Sequence, residues 1–212
     1  MGFLNQQVRT FLLATVVIIA VVCLLGCGNG GYSSSGSGSF TDSRDGQKYK
    51  TVKIGNKTWT AENIRYKIGG SWCYSNDDNK CQQYGRLYDW NMAKIACPNG
   101  WHLPSSDDWT ELVIVASSEI SGKKLKSTSG WANDGKNSGN GTNDYGFSAL
   151  PGGYRSTVGR FDGVGRASGW WTASETNSGG AYSPGMYSDA DYVSEHGADK
   201  RSGFYVRCVQ DN

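Results

Sequence analysis

Several side chains between residues 131 and 170 have the chemistry needed to hold a sugar. Tryptophan rings stack on the CH faces of pyranoses, and the sequence contains eight tryptophans, most of them in strand or helix patterns that predict burial. Trp131 and Trp170 lie instead among Asn, Ser, Tyr and Gly residues, so we expect these two to be exposed. Neighbouring amide and carboxylate groups would bind sugar hydroxyls. The predicted ligand-binding residues are Trp131, Asn133, Asp134, Asn143, Tyr145 and Trp170.

The same loop is rich in the hard oxygen ligands that Ca²⁺ accepts. An EF-hand is excluded, because the twelfth position counted from Asp134 is Tyr145 rather than Glu. Clusters of Asn, Asp and Gly usually form turns, since these residues tolerate left-handed backbone conformations. We therefore predict a structural turn and no cofactor, with a calcium site as the alternative.

The sequence carries no recognisable catalytic motif. It contains no G-x-S-x-G, no H-E-x-x-H and no P-loop, and nothing in it positions two carboxylates as a glycosidase pair. A net charge of +2 gives no clustered Lys and Arg of the kind that binds nucleic acid. We expect a protein that is not an enzyme and has no nucleic-acid partner.

Four cysteines beyond the first 27 residues form a disulfide framework. They are Cys73, Cys81, Cys97 and Cys208. Because their number is even, all four can pair, and disulfide formation is the default in an oxidising compartment. Three pairings are possible. A short Asn/Asp-rich turn between Cys73 and Cys81 lets the chain double back, which leaves Cys97 for Cys208.

The amino terminus is typical of an exported lipoprotein. Arg9 precedes an apolar run over residues 11–25, whose fifteen residues suit the core of a signal peptide. At about 1.5 Å per residue this run is shorter than the roughly 30 Å core of a membrane. It ends in Leu-Leu-Gly-Cys, which resembles the bacterial lipobox. Residues 1–26 are predicted to be a signal peptide and Cys27 the lipidation site; an uncleaved anchor and a soluble secreted protein are the alternatives.

A flexible tether is predicted to follow Cys27. Ten of the twelve residues 28–39 are Gly or Ser. We place the lipidated cysteine and tether at residues 27–45 and the folded domain at residues 46–212. Gly28 stands where enterobacterial sorting rules place a retention Asp, and this resemblance favours the outer membrane of the cell envelope, with the lipid anchor as the membrane contact.

The composition limits how the domain can fold. Thirty glycines with 8 Trp, 12 Tyr and 6 Phe exclude coiled coils and helical bundles. Residues 48–54 and 58–60 predict a β-hairpin around a Gly-Asn turn. Residues 86–96 predict a helix, and Ser105 with Asp108 predicts a capped start to a second one.

The remainder of the domain shows less periodicity. Residues 117–192 predict an ordered-loop region pinned by aromatic residues. The final segment alternates, which predicts a strand with Phe204, Val206 and Cys208 facing the core.

Long blocks of this sequence resemble a known family. They are TVKIGNKTWTAENI, YGRLYDWNMAKIACPNGWHLPSSDDWTEL, NGTNDYGFSALPGGYR, WWTASE and GFYVRCV. Together they resemble the Fibrobacter succinogenes major paralogous domain family, found in exported bacterial proteins and lipoproteins. GWHLPSSDDW and GFYVRCV are also distantly similar to formylglycine-generating-enzyme-like proteins. That resemblance implies a C-type-lectin-like α+β fold with two helices, small antiparallel sheets, long ordered loops and two disulfides, one joining a helix to the last strand.

The resemblance implies a fold more than an activity. Copper-binding oxidases of the formylglycine type have a close cysteine pair near the C-terminus, whereas Cys208 stands alone here. We expect a lipid-anchored envelope protein with a non-catalytic domain that binds polysaccharide or another envelope component. The alternatives are a degenerate formylglycine-generating-enzyme-like enzyme and a protein-binding adhesin or scaffold.

Overall fold

The structure, a computed structural model, describes residues 36–133, 135 and 137–211. The predicted signal peptide, the lipidation site Cys27 and the predicted ligand residue Asp134 lie outside the described residues. None of the helices within the described ranges is long and apolar enough to span a membrane.

The described residues combine four α-helices with short strands in three sheets. The strands are β1 (Ser37–Thr41), β2 (Lys48–Ile54), β3 (Lys57–Thr60), β4 (Ser71–Trp72), β5 (Leu87–Tyr88), β6 (Trp101–His102), β7 (Gly152–Arg155), β8 (Phe161–Val164), β9 (Ala167–Gly169), β10 (Glu175–Asn177), β11 (Gly180–Tyr187), β12 (Ser194–Asp199) and β13 (Val209–Gln210). The helices are α1 (Asp78–Tyr84), α2 (Trp90–Ala96), α3 (Ser106–Val115) and α4 (Ser121–Leu125). The α+β class predicted from the sequence is confirmed, with four helices where two were expected.

The first sheet contains the predicted opening hairpin. Its strand order is β1-β2-β3-β13-β6. Val52 of β2 lies opposite Trp59 of β3, and both side chains are buried. Gly55 in the connecting turn has a φ of 63°, which glycine adopts at no steric cost. The hairpin prediction is confirmed.

The strand β1 lies where the sequence predicted the end of a flexible tether. It pairs antiparallel with β2 over its whole length. The ring of Phe40 also stacks on Tyr49 and Trp101, with centroids 5.5 and 4.5 Å away. The prediction of a tether through residue 45 and a domain start at residue 46 is therefore wrong. Pairing with a strand further along the chain orders this Gly/Ser segment, and composition alone does not reveal such pairing.

The first predicted helix starts later than its apolar spacing suggested. α2 begins at Trp90, and the Asp89 carboxylate caps it by accepting a hydrogen bond from the backbone N–H of Met92 at 2.9 Å. Leu87 and Tyr88 form strand β5 instead of the first helical turn. Both are fully buried, and an extended backbone allows this because successive side chains point to opposite sides.

The second predicted helix is confirmed together with its cap. α3 begins directly after Ser105, whose hydroxyl oxygen accepts from the backbone N–H of Asp108. The Asp108 carboxylate accepts in return from the backbone N–H of Ser105 at 2.7 Å. This capping box provides acceptors for two backbone N–H groups at the start of the helix. The helix that begins there buries Trp109 and Leu112.

The second sheet occupies much of the region in which the sequence predicted ordered loops. Its strand order is β10-β11-β9-β7-β8, and β12 also pairs with β11. The prediction for residues 117–192 is therefore wrong. These strands are short and rich in glycine, which hides their alternation. β11 also contains Pro184, a residue that normally argues against a paired strand.

Aromatic side chains fill the core. Trp59, Trp109 and Phe147 meet edge to face in one cluster, with ring centroids 5.3 to 5.9 Å apart. A second cluster contains Trp90 and Trp171. All four of these tryptophans are at most 3% exposed, as predicted, whereas Trp101, which was also expected to be buried, is half-buried.

The predicted final strand is shorter than the alternation suggested, because only β13 (Val209–Gln210) is a strand, and the residues before it are buried on both sides rather than on one. Tyr205 and Arg207 are at most 1% exposed, although the alternation predicted that only Phe204, Val206 and Cys208 face the core. The carbonyl of Tyr205 accepts from the backbone N–H of Trp171, and that of Val206 accepts from Ile64, both at 3.0 Å. Residues 205–208 are therefore buried on both faces, whereas Phe204 is half-buried.

Both predicted disulfides are present. Cys73 and Cys81 are joined with Cα atoms 4.9 Å apart, and Cys97 and Cys208 with Cα atoms 5.9 Å apart. The second bridge connects the end of α2 to the residue before β13 and spans 111 positions. It closes most of the described domain into one loop.

Candidate functional site

The two tryptophans predicted to be exposed are buried. Trp131 is 3% exposed, and its indole nitrogen donates to the carbonyl oxygen of Ala149 at 3.0 Å. Trp170 is fully buried, and its indole nitrogen donates to Oδ1 of Asn63 at 2.9 Å. The prediction that these rings meet a ligand is therefore wrong. Their polar sequence neighbours are not what surrounds them in space, and burying so large an apolar ring is strongly favourable.

The other predicted ligand-binding residues in the described chain either form hydrogen bonds within the fold or are exposed away from such contacts. Asn143 has a φ of 53°, and its side chain bonds Ser148 twice, accepting from the backbone N–H at 2.7 Å and donating to the hydroxyl at 2.8 Å. The hydroxyl of Tyr145 donates to the carbonyl oxygen of Val115 at 2.8 Å. Asn133 is exposed. Asn143 thus acts as the turn residue that its type predicts, and the set does not converge on one site.

The described residues offer no metal centre of the usual composition. Among them, no group of three or more His, Cys, Asp or Glu side chains could hold an ion. Cys73, Cys81, Cys97 and Cys208 are all consumed in disulfides. The described residues therefore provide no such group of ligands for the calcium site that the sequence left as an alternative.

A groove on the second sheet has the aromatic and polar character that the sequence placed elsewhere. Its volume is about 310 Å³, and it lies over β9, β11 and β12. We call it the sheet groove. It is lined by Tyr154, Ala167, Ser168, Gly169, Ser183, Gly185, Tyr187, His196, Gly197, Ala198 and Phe204.

Strand alternation positions the lining residues of the sheet groove. Ser183, Gly185 and Tyr187 of β11 share one face because successive strand residues point to opposite sides. Antiparallel pairing puts His196 of β12 opposite Ser183. It also puts Gly169 of β9 opposite Gly185. The register of three adjacent strands therefore determines the groove.

Glycine leaves space between the aromatic rings of the sheet groove. A β-carbon on Gly169 would lie 2.7 Å from the ring of Phe204, and one on Gly185 would lie 3.3 Å from the ring of Tyr187. Phe204, Tyr187 and Tyr154 are half-buried, so part of each ring remains accessible. The Tyr154 and Phe204 rings are 6.2 Å apart between centroids. Larger residues at the glycine positions would fill the groove.

The sheet groove lacks acidic side chains and the basic side chains of Lys and Arg in its described lining. Ser183 and His196 are cross-strand neighbours, but the lining contains no carboxylate to orient the imidazole as a catalytic triad requires. Accessible rings beside hydroxyl and imidazole groups suit a ligand with both CH faces and hydroxyls.

Sequence reasoning missed this site although one signal was present. In residues 181–187, small side chains and Tyr187 recur with a period of two, which is typical of a strand. Pro184 within the run obscures that pattern. His196 is exposed and lies inside β12.

Comparison with protein families identifies the domain. Residues 52–210 match the family model of the Fibrobacter succinogenes major domain. The chain belongs to this family. The Fibrobacter succinogenes major domain thus runs from β2 to β13 and includes both disulfides and the sheet groove. The resemblance of the sequence blocks to this family is confirmed.

Two further comparisons give no match, one with curated proteins and one with solved structures. The description of the Fibrobacter succinogenes major domain states no activity, ligand or partner. Function has to be argued from the site itself.

Proposed function

We propose that this chain is an exported lipoprotein of the cell envelope, held at the outer membrane by acyl chains on Cys27. We further propose that its domain binds carbohydrate without catalysing a reaction. The amino-terminal apolar run and the Leu-Leu-Gly-Cys sequence support the anchor. Two or more acyl chains would hold the protein stably on a bilayer.

The observation that carries the binding proposal is the sheet groove. Half-buried rings of Tyr154, Tyr187 and Phe204 lie around a glycine floor, beside the polar side chains of Ser183 and His196. A sugar presents apolar CH faces together with hydroxyl groups, so it complements both features at once. The uncharged lining favours a neutral sugar unit in this groove.

Two observations support a non-catalytic role. The sheet groove has no carboxylate in its lining, which leaves its Ser and His without the third member of a triad. Cys208 is bonded to Cys97, so it is not a free thiol of the kind that binds copper in formylglycine-generating oxidases. We further propose the C-type-lectin-like fold, which the helix-to-last-strand position of this same disulfide supports.

The test is binding of the purified protein to a glycan array and to insoluble polysaccharides. Tyr187→Ala removes one ring of the sheet groove and should weaken binding at least about tenfold, the change that corresponds to roughly 1.4 kcal/mol. Tyr182→Ala is the matched control, because Tyr182 is an exposed aromatic residue on the opposite face of the same strand. Its binding should match that of the unmodified protein.

Two results would contradict the proposal. Absence of binding to every neutral glycan would remove the carbohydrate function. Equal losses in Tyr187→Ala and Tyr182→Ala would show that the sheet groove is not the binding site.

A further inference from the structure

A second pocket differs from the sheet groove in its lining residues and in its charge. Its volume is about 240 Å³, and Arg207 forms part of its wall. We call it the Arg207 pocket. Its charged lining residues are three cations, Lys50, Arg65 and Arg207, and one carboxylate, Glu62. The pocket therefore carries excess positive charge.

Arg207 is 1% exposed and has only neutral acceptors around it. Its Nε donates to Oδ1 of Asn63 at 2.6 Å, and its Nη1 donates to the carbonyl oxygens of Thr60 at 2.9 Å and Phe147 at 2.8 Å. Its Nη2 donates to the carbonyl oxygen of Ser148 at 3.3 Å. A guanidinium has five N–H groups, so these four bonds leave one Nη2 hydrogen without a partner among the described residues.

The buried charge of Arg207 is poorly compensated. Burial lowers its pKa to about 9, and the charge of Glu62 only partly opposes that effect. The guanidinium is still protonated at neutral pH. A buried charge without a hydrogen-bonded counter-ion is costly, so an anion that reached it would be stabilised.

Glu62 is not free to serve as that counter-ion. Its Oε2 accepts a hydrogen bond from the backbone N–H of Lys50 at 2.7 Å. Its Oε1 lies 3.6 Å from Nη1 of Arg65. Glu62 is thus paired with Arg65, which leaves the charges of Arg207 and Lys50 for a ligand.

A larger groove adjoins the Arg207 pocket. It has a volume of about 600 Å³, is lined by residues of β1 and β2, and shares Lys50, Ala61, Glu62 and Gly146 with the Arg207 pocket. The smaller space suits one charged group, whereas the larger one has room for the neighbouring units of a chain molecule.

We propose that the Arg207 pocket binds the oxyanion group of an acidic polysaccharide, a carboxylate or a sulfate, with adjacent sugar units in the neighbouring groove. The oxyanion accepts the remaining Nη2 hydrogen of Arg207 and faces Lys50 at the pocket wall. This site goes beyond the proposed function of the sheet groove and rests on different residues.

The experiment is thermal unfolding of the full chain with sodium D-glucuronate, sodium sulfate or D-glucose, at one ionic strength maintained with NaCl. A ligand that binds the folded state raises the midpoint as its concentration rises. We expect the midpoint to rise with at least one of the two anions and to stay constant with glucose. A rise with glucuronate assigns a carboxylate ligand. A rise with sulfate alone assigns a sulfate ester only where Lys50→Ala reduces it, because excluded sulfate stabilises folded proteins without binding. If neither anion shifts the midpoint more than glucose does, the proposal is overturned.

Single substitutions test whether the anion that raises the unfolding midpoint binds in the Arg207 pocket. Arg207→Lys tests the buried group directly, but it also removes hydrogen bonds that hold the fold. Lys50→Ala leaves the Arg207 network in place and should weaken the anion affinity about twofold to fivefold, as for one exposed ion pair. Lys53→Ala is the matched control, since Lys53 is exposed on the same strand but lines neither space. Equal effects of Lys50→Ala and Lys53→Ala would overturn the site. Tyr187→Ala should leave the anion effect unchanged, which separates this test from that of the sheet groove.

Discussion

Removing the Cys97–Cys208 disulfide should destabilise the protein about twice as much as removing the Cys73–Cys81 disulfide. A crosslink restricts the unfolded chain, and the entropy it removes grows with the length of the closed loop. The two bridges span 111 and 8 positions. The loop-entropy relation then gives roughly 5 kcal/mol for the long bridge and roughly 2.5 kcal/mol for the short one at 25 °C.

The two bridges are a matched pair for this comparison. Cys208, Cys73 and Cys81 are each at most 5% exposed and Cys97 is half-buried, so replacing either pair by alanine removes sulfur atoms that are largely buried. The difference between the double variants therefore reports mainly the difference in loop length. A domain of ordinary stability has about 5 to 15 kcal/mol in total, so losing the long bridge should bring the fold close to unfolding.

The assay is urea unfolding followed by tryptophan fluorescence, with free energies of unfolding extrapolated to zero urea. It compares Cys97→Ala/Cys208→Ala with Cys73→Ala/Cys81→Ala and with the unmodified protein. Equal losses in the two double variants, or a larger loss without the short bridge, would refute the loop-length reasoning.

Two more predictions concern local contacts. Gly141→Ala should lower the free energy of unfolding by more than about 2 kcal/mol, because its β-carbon would lie 2.4 Å from two backbone carbonyl oxygens. In Gly179→Ala the nearest atom would be 3.7 Å away, so this control should unfold like the unmodified protein in the same urea assay. Burial alone would raise the pKa of Asp108, but hydrogen bonds from Lys57 and Ser105 outweigh it and the net pKa is lowered. This stabilisation is complete above the ordinary pKa of about 3.9 and is lost as the pH falls through the lower folded value. Urea unfolding at a series of pH values should show a smaller acid-induced loss in Asp108→Asn, and an unchanged loss would contradict the assignment.

Features with a local physical cause could be predicted from the sequence. The opening hairpin follows from β-branched strands around a Gly-Asn turn, and the start of α3 follows from the capping pair Ser105 and Asp108. The disulfide pairing follows from the short separation of Cys73 and Cys81, which leaves one choice for the other pair. The family was also evident, because its sequence blocks are long.

The candidate site could not be predicted in this way. Trp131 and Trp170 have polar sequence neighbours, yet each indole N–H finds a buried acceptor elsewhere in the chain. The sheet groove depends on the register between strands, which sets Ser183 opposite His196. A one-residue slip would turn those side chains to the other face, and no local signal fixes the register of such short glycine-rich strands.

The sequence by itself determined the α+β class, the covalent framework and the residues able to nucleate turns and helices, because these depend on near neighbours. Only the tertiary structure decided which aromatic rings are buried, that β1 belongs to the domain, and that Arg207 is enclosed by carbonyl groups from Thr60 and Phe147. These outcomes arise from contacts between segments far apart in the chain, where packing outweighs local preference.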